Sequence, residues 1–105
     1  MRHAYNKLVR DHIPQIILDS GKQPVTRIAG EGEIHELLAQ KLMEEVNEYI
    51  KSKDTGELAD ILEVLRSIAR EKGLKLDEIC YMADLKKEER GGFERRIVLE
   101  EVVDK

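Results

Sequence analysis

The chain has 105 residues, a charged fraction of 38% and a formal net charge of −4. Its length predicts a single domain over residues 1–105, burying roughly 60–70% of the surface that the unfolded chain exposes. The acidic balance argues against broad binding to nucleic acid or to an anionic membrane. No apolar run approaches the roughly 18 residues that a transmembrane span needs, and the opening Met1-Arg2-His3-Ala4-Tyr5 lacks the apolar core of a signal peptide.

Cys80 is the single cysteine. It rules out a disulfide within the chain and suits a reducing cytoplasm, which is the expected location. Its apolar helical context predicts a small core residue rather than a nucleophile.

In chain order, a short first helix is predicted from about Asp11 to Ser20, with Pro14 in the first turn, where proline costs little. Gly21 stops it. Lys22 to Gly30 contains Pro24-Val25-Thr26-Arg27-Ile28, extended by composition. Gly30-Glu31-Gly32 breaks the pattern. The second helix runs from about Glu33 to Ser52, with Ile34, Leu37, Leu38, Leu42, Val46, Tyr49 and Ile50 at helical spacing.

The third helix runs from about Thr55 to Lys72. Its stripe is Leu58, Ile61, Leu62, Val64, Leu65, Ile68 and Ala69, and Gly73 caps its end. The fourth runs from about Leu76 to Arg90 and stops at Gly91-Gly92. Arg96 to Val103 reads as a strand or extended segment with Val25–Ile28 as its candidate partner. The predicted fold class is therefore mainly α: a small bundle of about four helices with a short extended or β segment at the C-terminus.

Four acids stand out. Glu45 and Glu48 on the second helix, and Glu57 and Asp60 on the third, are each spaced i, i+3, so each pair shares a helix face. The break Ser52-Lys53-Asp54-Thr55-Gly56 lets the helices run antiparallel and brings the pairs level. At about 100° per residue, Glu45 falls inside the apolar stripe of its helix and Glu48 at the stripe's edge. Glu57 lies near one edge of the next stripe, between Val64 and Ile68, and Asp60 lies just outside it. Charges on the core side need a partner, and a divalent cation is the economical one. Two readings compete: a solvated helix face, and a capping box in which Asp54 caps the third helix while Glu57 reaches back.

An all-oxygen ligand set favours Mg²⁺, with Mn²⁺ as a substitute, over Zn²⁺. No Glu-x-x-His pair of the di-iron kind is present. His3, His12 and His35 read as surface or packing residues, and no Ser or Cys has a credible adjacent base. Glu44 divides between a supporting acid and a surface residue. Lys41 shares a face with Glu45 and Glu48; Lys86 and Arg90 share one on the fourth helix; Lys7 and Arg10 sit together near the N-terminus. Beside a metal, such cations neutralise a polyphosphate, Arg as a bidentate fork and Lys as a point charge. For Tyr5, Tyr49, Tyr81 and Phe93, packing is preferred to base stacking.

Leu42-Met43-Glu44-Glu45-Val46-Asn47-Glu48, followed by Glu57-Leu58-Ala59-Asp60-Ile61, resembles the E-x-x-E … E-x-x-D signature of the all-α nucleoside triphosphate pyrophosphatases, a superfamily that includes MazG proteins, dimeric dUTPases and phosphoribosyl-ATP pyrophosphohydrolase. Tyr5-Asn6-Lys7-Leu8-Val9-Arg10-Asp11 and Arg90-Gly91-Gly92-Phe93-Glu94-Arg95-Arg96-Ile97 resemble its small, single-domain house-cleaning branch, so the likeness covers nearly the whole chain.

The resemblance implies hydrolysis between the α- and β-phosphates of a nucleotide, canonical or damaged, to monophosphate and pyrophosphate. It implies Mg²⁺ on Glu45, Glu48, Glu57 and Asp60, with one of them or Glu44 orienting the attacking water. It assigns Lys41, Lys86 and Arg90 to phosphate binding, and Lys7 and Arg10 join them as neighbouring cations. It also implies a homodimer or homotetramer. The chain departs from its relatives at Asp84, where they often carry Asn. Two alternatives remain beside this reading: a non-catalytic nucleotide- or metal-binding module, and a helical interaction protein whose acids are surface charge.

Overall fold

The computed structural model describes residues 2–104 and contains four helices. These are α1 (Ile13–Asp19), α2 (Ile34–Ser52), α3 (Thr55–Glu71) and α4 (Leu76–Arg90). The mainly helical class is as expected, and the helix bounds lie within two residues of the sequence reading, at the frayed ends where such bounds are least defined.

The link between α2 and α3 shows why the chain turns back so tightly. Lys53 takes the left-handed conformation (φ 58°) while its N–H still bonds Tyr49 O at 2.8 Å, which ends α2. Asp54 is extended, and its carboxylate accepts from Gly56 N at 3.0 Å, which starts α3. Two residues thus close one helix and cap the next. At the far end of α3, Gly73 (φ 76°) supplies the left-handed residue, and Leu74 N–H returns to Ala69 O at 2.8 Å.

The α2/α3 hairpin holds the fold's interior. Leu38 from α2, with Val64 and Ala69 from α3, form the buried core. Each larger side chain contributes roughly 1.5–3 kcal/mol when fully removed from water. Neither α1 nor α4 contains a buried residue. α4 packs loosely on α3, its first turn tied by Glu78, which accepts from Lys75 N at 3.2 Å. This loose packing corrects the reading of Cys80 as a core residue: it lies on α4 and is exposed.

The extended segments are present, but no strand pairing forms among the described residues. Val25 is 91% exposed and Ile28 95%. The tail from Phe93 onward is exposed throughout its described length. The radius of gyration is 18.7 Å, against about 13 Å for a compact chain of this length. No helix is long and apolar enough to cross a membrane.

Candidate metal and phosphate site

The hairpin turn sets the level at which acids from α2 and α3 meet. Carboxylate oxygens of Glu45, Glu57 and Asp60 all lie within 4.8 Å of one another, and all three residues are half-buried. Two oxygens on one Mg²⁺ sit at most about 4.2 Å apart, given bonds of roughly 2.1 Å. Only one pair among three ligands can be that far apart, and the others stand about 3.0 Å apart in an octahedral shell. The acids would therefore have to draw together to share an ion; an all-carboxylate donor set suits Mg²⁺ or Mn²⁺.

The fourth expected ligand lies apart. Glu48 is exposed and outside the three-acid group. The step from Glu45 to Glu48 turns about 300° around the helix, leaving them about 60° apart. Glu45 faces the seam with α3, while Glu48 points beyond it. Its charge still reaches Glu57.

The competing capping-box account of Glu57 does not describe this hairpin. The Asp54 N–H that Glu57 would have to reach is bonded to Ser52 Oγ at 3.1 Å. Asp54 alone caps α3, and Glu57 turns to the other acids. Partial desolvation, then the charges of Asp60 and Glu45, push its carboxyl above the usual carboxylate range.

Cations from three places border the acids. Lys41, one turn before Glu45, lies 3.6 Å from Glu45 and 3.4 Å from Glu44. Lys7 Nζ donates to Glu44 at 3.1 Å, and Arg10 donates to Asp60 Oδ1 at 2.7 Å. Burial opposes ionisation of Glu44, but the bonds and charges of Lys7 and Lys41 outweigh it and hold this carboxyl below its ordinary value. Glu44 is therefore an ionised carboxylate gripped by two lysines.

Lys7 and Arg10, expected at phosphate, bond acids of the hairpin in this structure. The inward acids need a partner, and besides the expected divalent cation, cations of the chain supply countercharge to Glu44, Glu45 and Asp60. In Lys7-Leu8-Val9-Arg10, Leu8 is half-buried, Val9 stays exposed, and the cation at each end reaches an acid.

Lys86 and Arg90 are placed elsewhere. With Lys87, Gly91, Gly92 and Phe93 they line a shallow depression at the end of α4 that none of the hairpin acids lines. Phe93 is 96% exposed, and Tyr5 and Tyr81 are also open, so packing within the chain does not account for these rings. Tyr49 is half-buried, with Lys53 Nζ 5.8 Å from its ring centre. His3, His12 and His35 are exposed, as expected.

Comparison of the chain with protein families, curated proteins and solved structures finds no match.

Proposed function

We propose that the chain is a Mg²⁺-dependent pyrophosphohydrolase that cleaves nucleoside triphosphates, canonical or damaged, to monophosphate and pyrophosphate. The observation that carries this reading is the convergence of Glu45, Glu57 and Asp60 oxygens within 4.8 Å across the α2/α3 hairpin. Glu45, Glu57 and Asp60 would hold the ion. A bound Mg²⁺ supplies charge neutralisation on phosphate oxygens and a more acidic water. Glu48, on the rim, is positioned for the outer side of such a site. Glu44, kept ionised by Lys7 and Lys41, is the candidate for orienting the attacking water.

Lys41, Lys7 and Arg10 stand beside the acids, where a polyphosphate could draw them from their present partners. Lys86 and Arg90 supply a second basic group, with the open Phe93 ring beside them for a base. The reading includes a homodimer or homotetramer working in the cytoplasm. The small hairpin core and the exposed apolar side chains support assembly, and the single cysteine suits that compartment.

Pyrophosphate release from a panel of normal and damaged nucleoside triphosphates, with Mg²⁺, tests the activity. Release that Glu45→Gln abolishes, with helical content unchanged, is the expected result. Folded protein that releases pyrophosphate from none of them overturns it.

A second reading has one observation in its favour. The ion pairs of Glu44, Glu45 and Asp60 with Lys7, Lys41 and Arg10 balance the acids without a metal. The chain would then be a non-catalytic helical module. A melting temperature insensitive to Mg²⁺ is its signature, since a ligand of the native state alone raises the midpoint.

A further inference from the structure

Two extended segments, one between α1 and α2 and one after α4, are complementary to one another. Residues 97–103 read Ile-Val-Leu-Glu-Glu-Val-Val; Ile97, Val98, Leu99, Val102 and Val103 are each 73–81% exposed. Five branched aliphatic side chains in seven residues make an unusual free surface, and β-branched residues at this density favour a strand. Residues 24–28 read Pro-Val-Thr-Arg-Ile, with Val25 and Ile28 almost fully exposed. The tail carries Glu100 and Glu101; the earlier segment carries Arg27, preceded by Lys22, and Arg27 bonds Glu33 of its own chain, so a tail acid would join that pair.

Register separates the alternatives. An antiparallel alignment that sets Arg27 opposite Glu100 also sets Ile28 opposite Leu99, Ala29 opposite Val98 and Val25 opposite Val102. Every aliphatic residue then meets another small or apolar one, and the basic residue meets an acid. Shifting the tail by one residue puts Ile28 against Glu100. A parallel alignment with Arg27 opposite Glu100 puts Ile28 against Glu101. Pro24 falls at the start of its strand, where its missing N–H is tolerated.

We propose that the tail forms an antiparallel strand with residues 24–29 of a second copy of this chain, exchanged reciprocally about a two-fold axis. Within one chain the segments are unpaired, and the 65 Å length of the molecule fits arms that extend from the hairpin. A reciprocal exchange makes two such ladders per dimer and covers both exposed segments at once. The occupant is a copy of this chain because the complementary strand lies in its own sequence. The inference is independent of the acid site, since none of the residues involved belongs to it.

Cysteine pairing tests it. Ile28→Cys in one chain and Leu99→Cys in another, both carrying Cys80→Ser, are mixed and oxidised. A covalent dimer joining the two variants is expected. The same two substitutions in one chain closing only to a monomeric disulfide would overturn the proposal, as would wild-type protein that sediments as a monomer. A dimer that forms without this cross-link overturns it too, because other faces would then make the contact. As a second measure, Glu100→Arg should weaken dimerisation about tenfold, two like-charge pairs being created per dimer while the Arg27–Glu33 pair is left intact.

Discussion

Arg10 and Asp60, fifty residues apart, are joined by a 2.7 Å hydrogen bond that ties the segment before α1 to the acid cluster of the hairpin. The bond uses the same carboxylate that would face a metal. The N-terminal segment is thus both a strap across the site and its built-in countercharge. Lys7 repeats the arrangement on Glu44, so two cations three residues apart reach acids on two different helices.

Arg10→Ala separates these roles. The pair is exposed to solvent, with 56% and 42% of the two side chains accessible, so its removal should cost no more than about 1 kcal/mol. Removing a competing cation leaves Asp60 freer, so Mg²⁺ should bind more tightly. Calorimetric titration of the metal alone checks the direction. If Arg10 also steadies phosphate, turnover should fall while metal affinity rises. Weaker Mg²⁺ binding in the variant would contradict the proposed arrangement.

Glu57 gives a pH signature. Its carboxyl is raised in the folded state, chiefly by desolvation and by Asp60 and Glu45. A raised carboxyl binds its proton more tightly when folded, so this group favours folding at low pH. Its destabilising effect begins as pH rises above the ordinary carboxylate value and is complete above the folded one. In metal-free protein, Glu57→Gln should therefore melt higher than wild type at neutral pH, and the gap should close on acidification. With Mg²⁺ the order should reverse, because the variant loses a ligand. Thermal melts across pH, with and without the ion, read both effects.

Glu44 should behave in the opposite sense. Lys7 and Lys41 hold its carboxyl low against the effect of burial. Its contribution is present above the ordinary carboxylate value and is lost as pH falls through the lowered one. Lys7→Met should flatten this acid limb of the stability curve while leaving the Glu57 signature in place. An acid limb unchanged in Lys7→Met would show that the Lys7–Glu44 contact is not maintained in solution.

The helices were legible because their signals are local. Apolar spacing, Gly73 and the Asp54 cap each act within a few residues, and they gave α2, α3 and α4 nearly to the residue. The meeting of Glu45, Glu57 and Asp60 followed from the same local rules plus one short turn. What the rules missed depends on where separate segments come to rest. Lys7–Glu44 and Arg10–Asp60 span 37 and 50 residues, and no periodicity encodes them. Glu48 lies outside the three-acid group for a finer reason: sharing a helix face to within about 60° is not the same as facing one point. Cys80 shows the same limit, since an apolar helical context does not reveal whether another element covers that face.

The smallness of the interior makes Leu38 a sensitive position. It is the buried residue that α2 contributes, at 4% exposure, and it meets a side of α3 that offers Val64 and Ala69. Leu38→Ala should cost about 2–5 kcal/mol, the range for a buried leucine that leaves a cavity. A single chain with so little interior has few other contacts to absorb that loss. The urea midpoint followed by circular dichroism should fall sharply, and the hairpin acids should separate with it, so Mg²⁺ should no longer raise the melting temperature. Exposed Leu62, 39% accessible on α3, is the control. Leu62→Ala should shift the midpoint far less in the monomer. A loss as large as that of Leu38→Ala would mean that a second chain buries this face too.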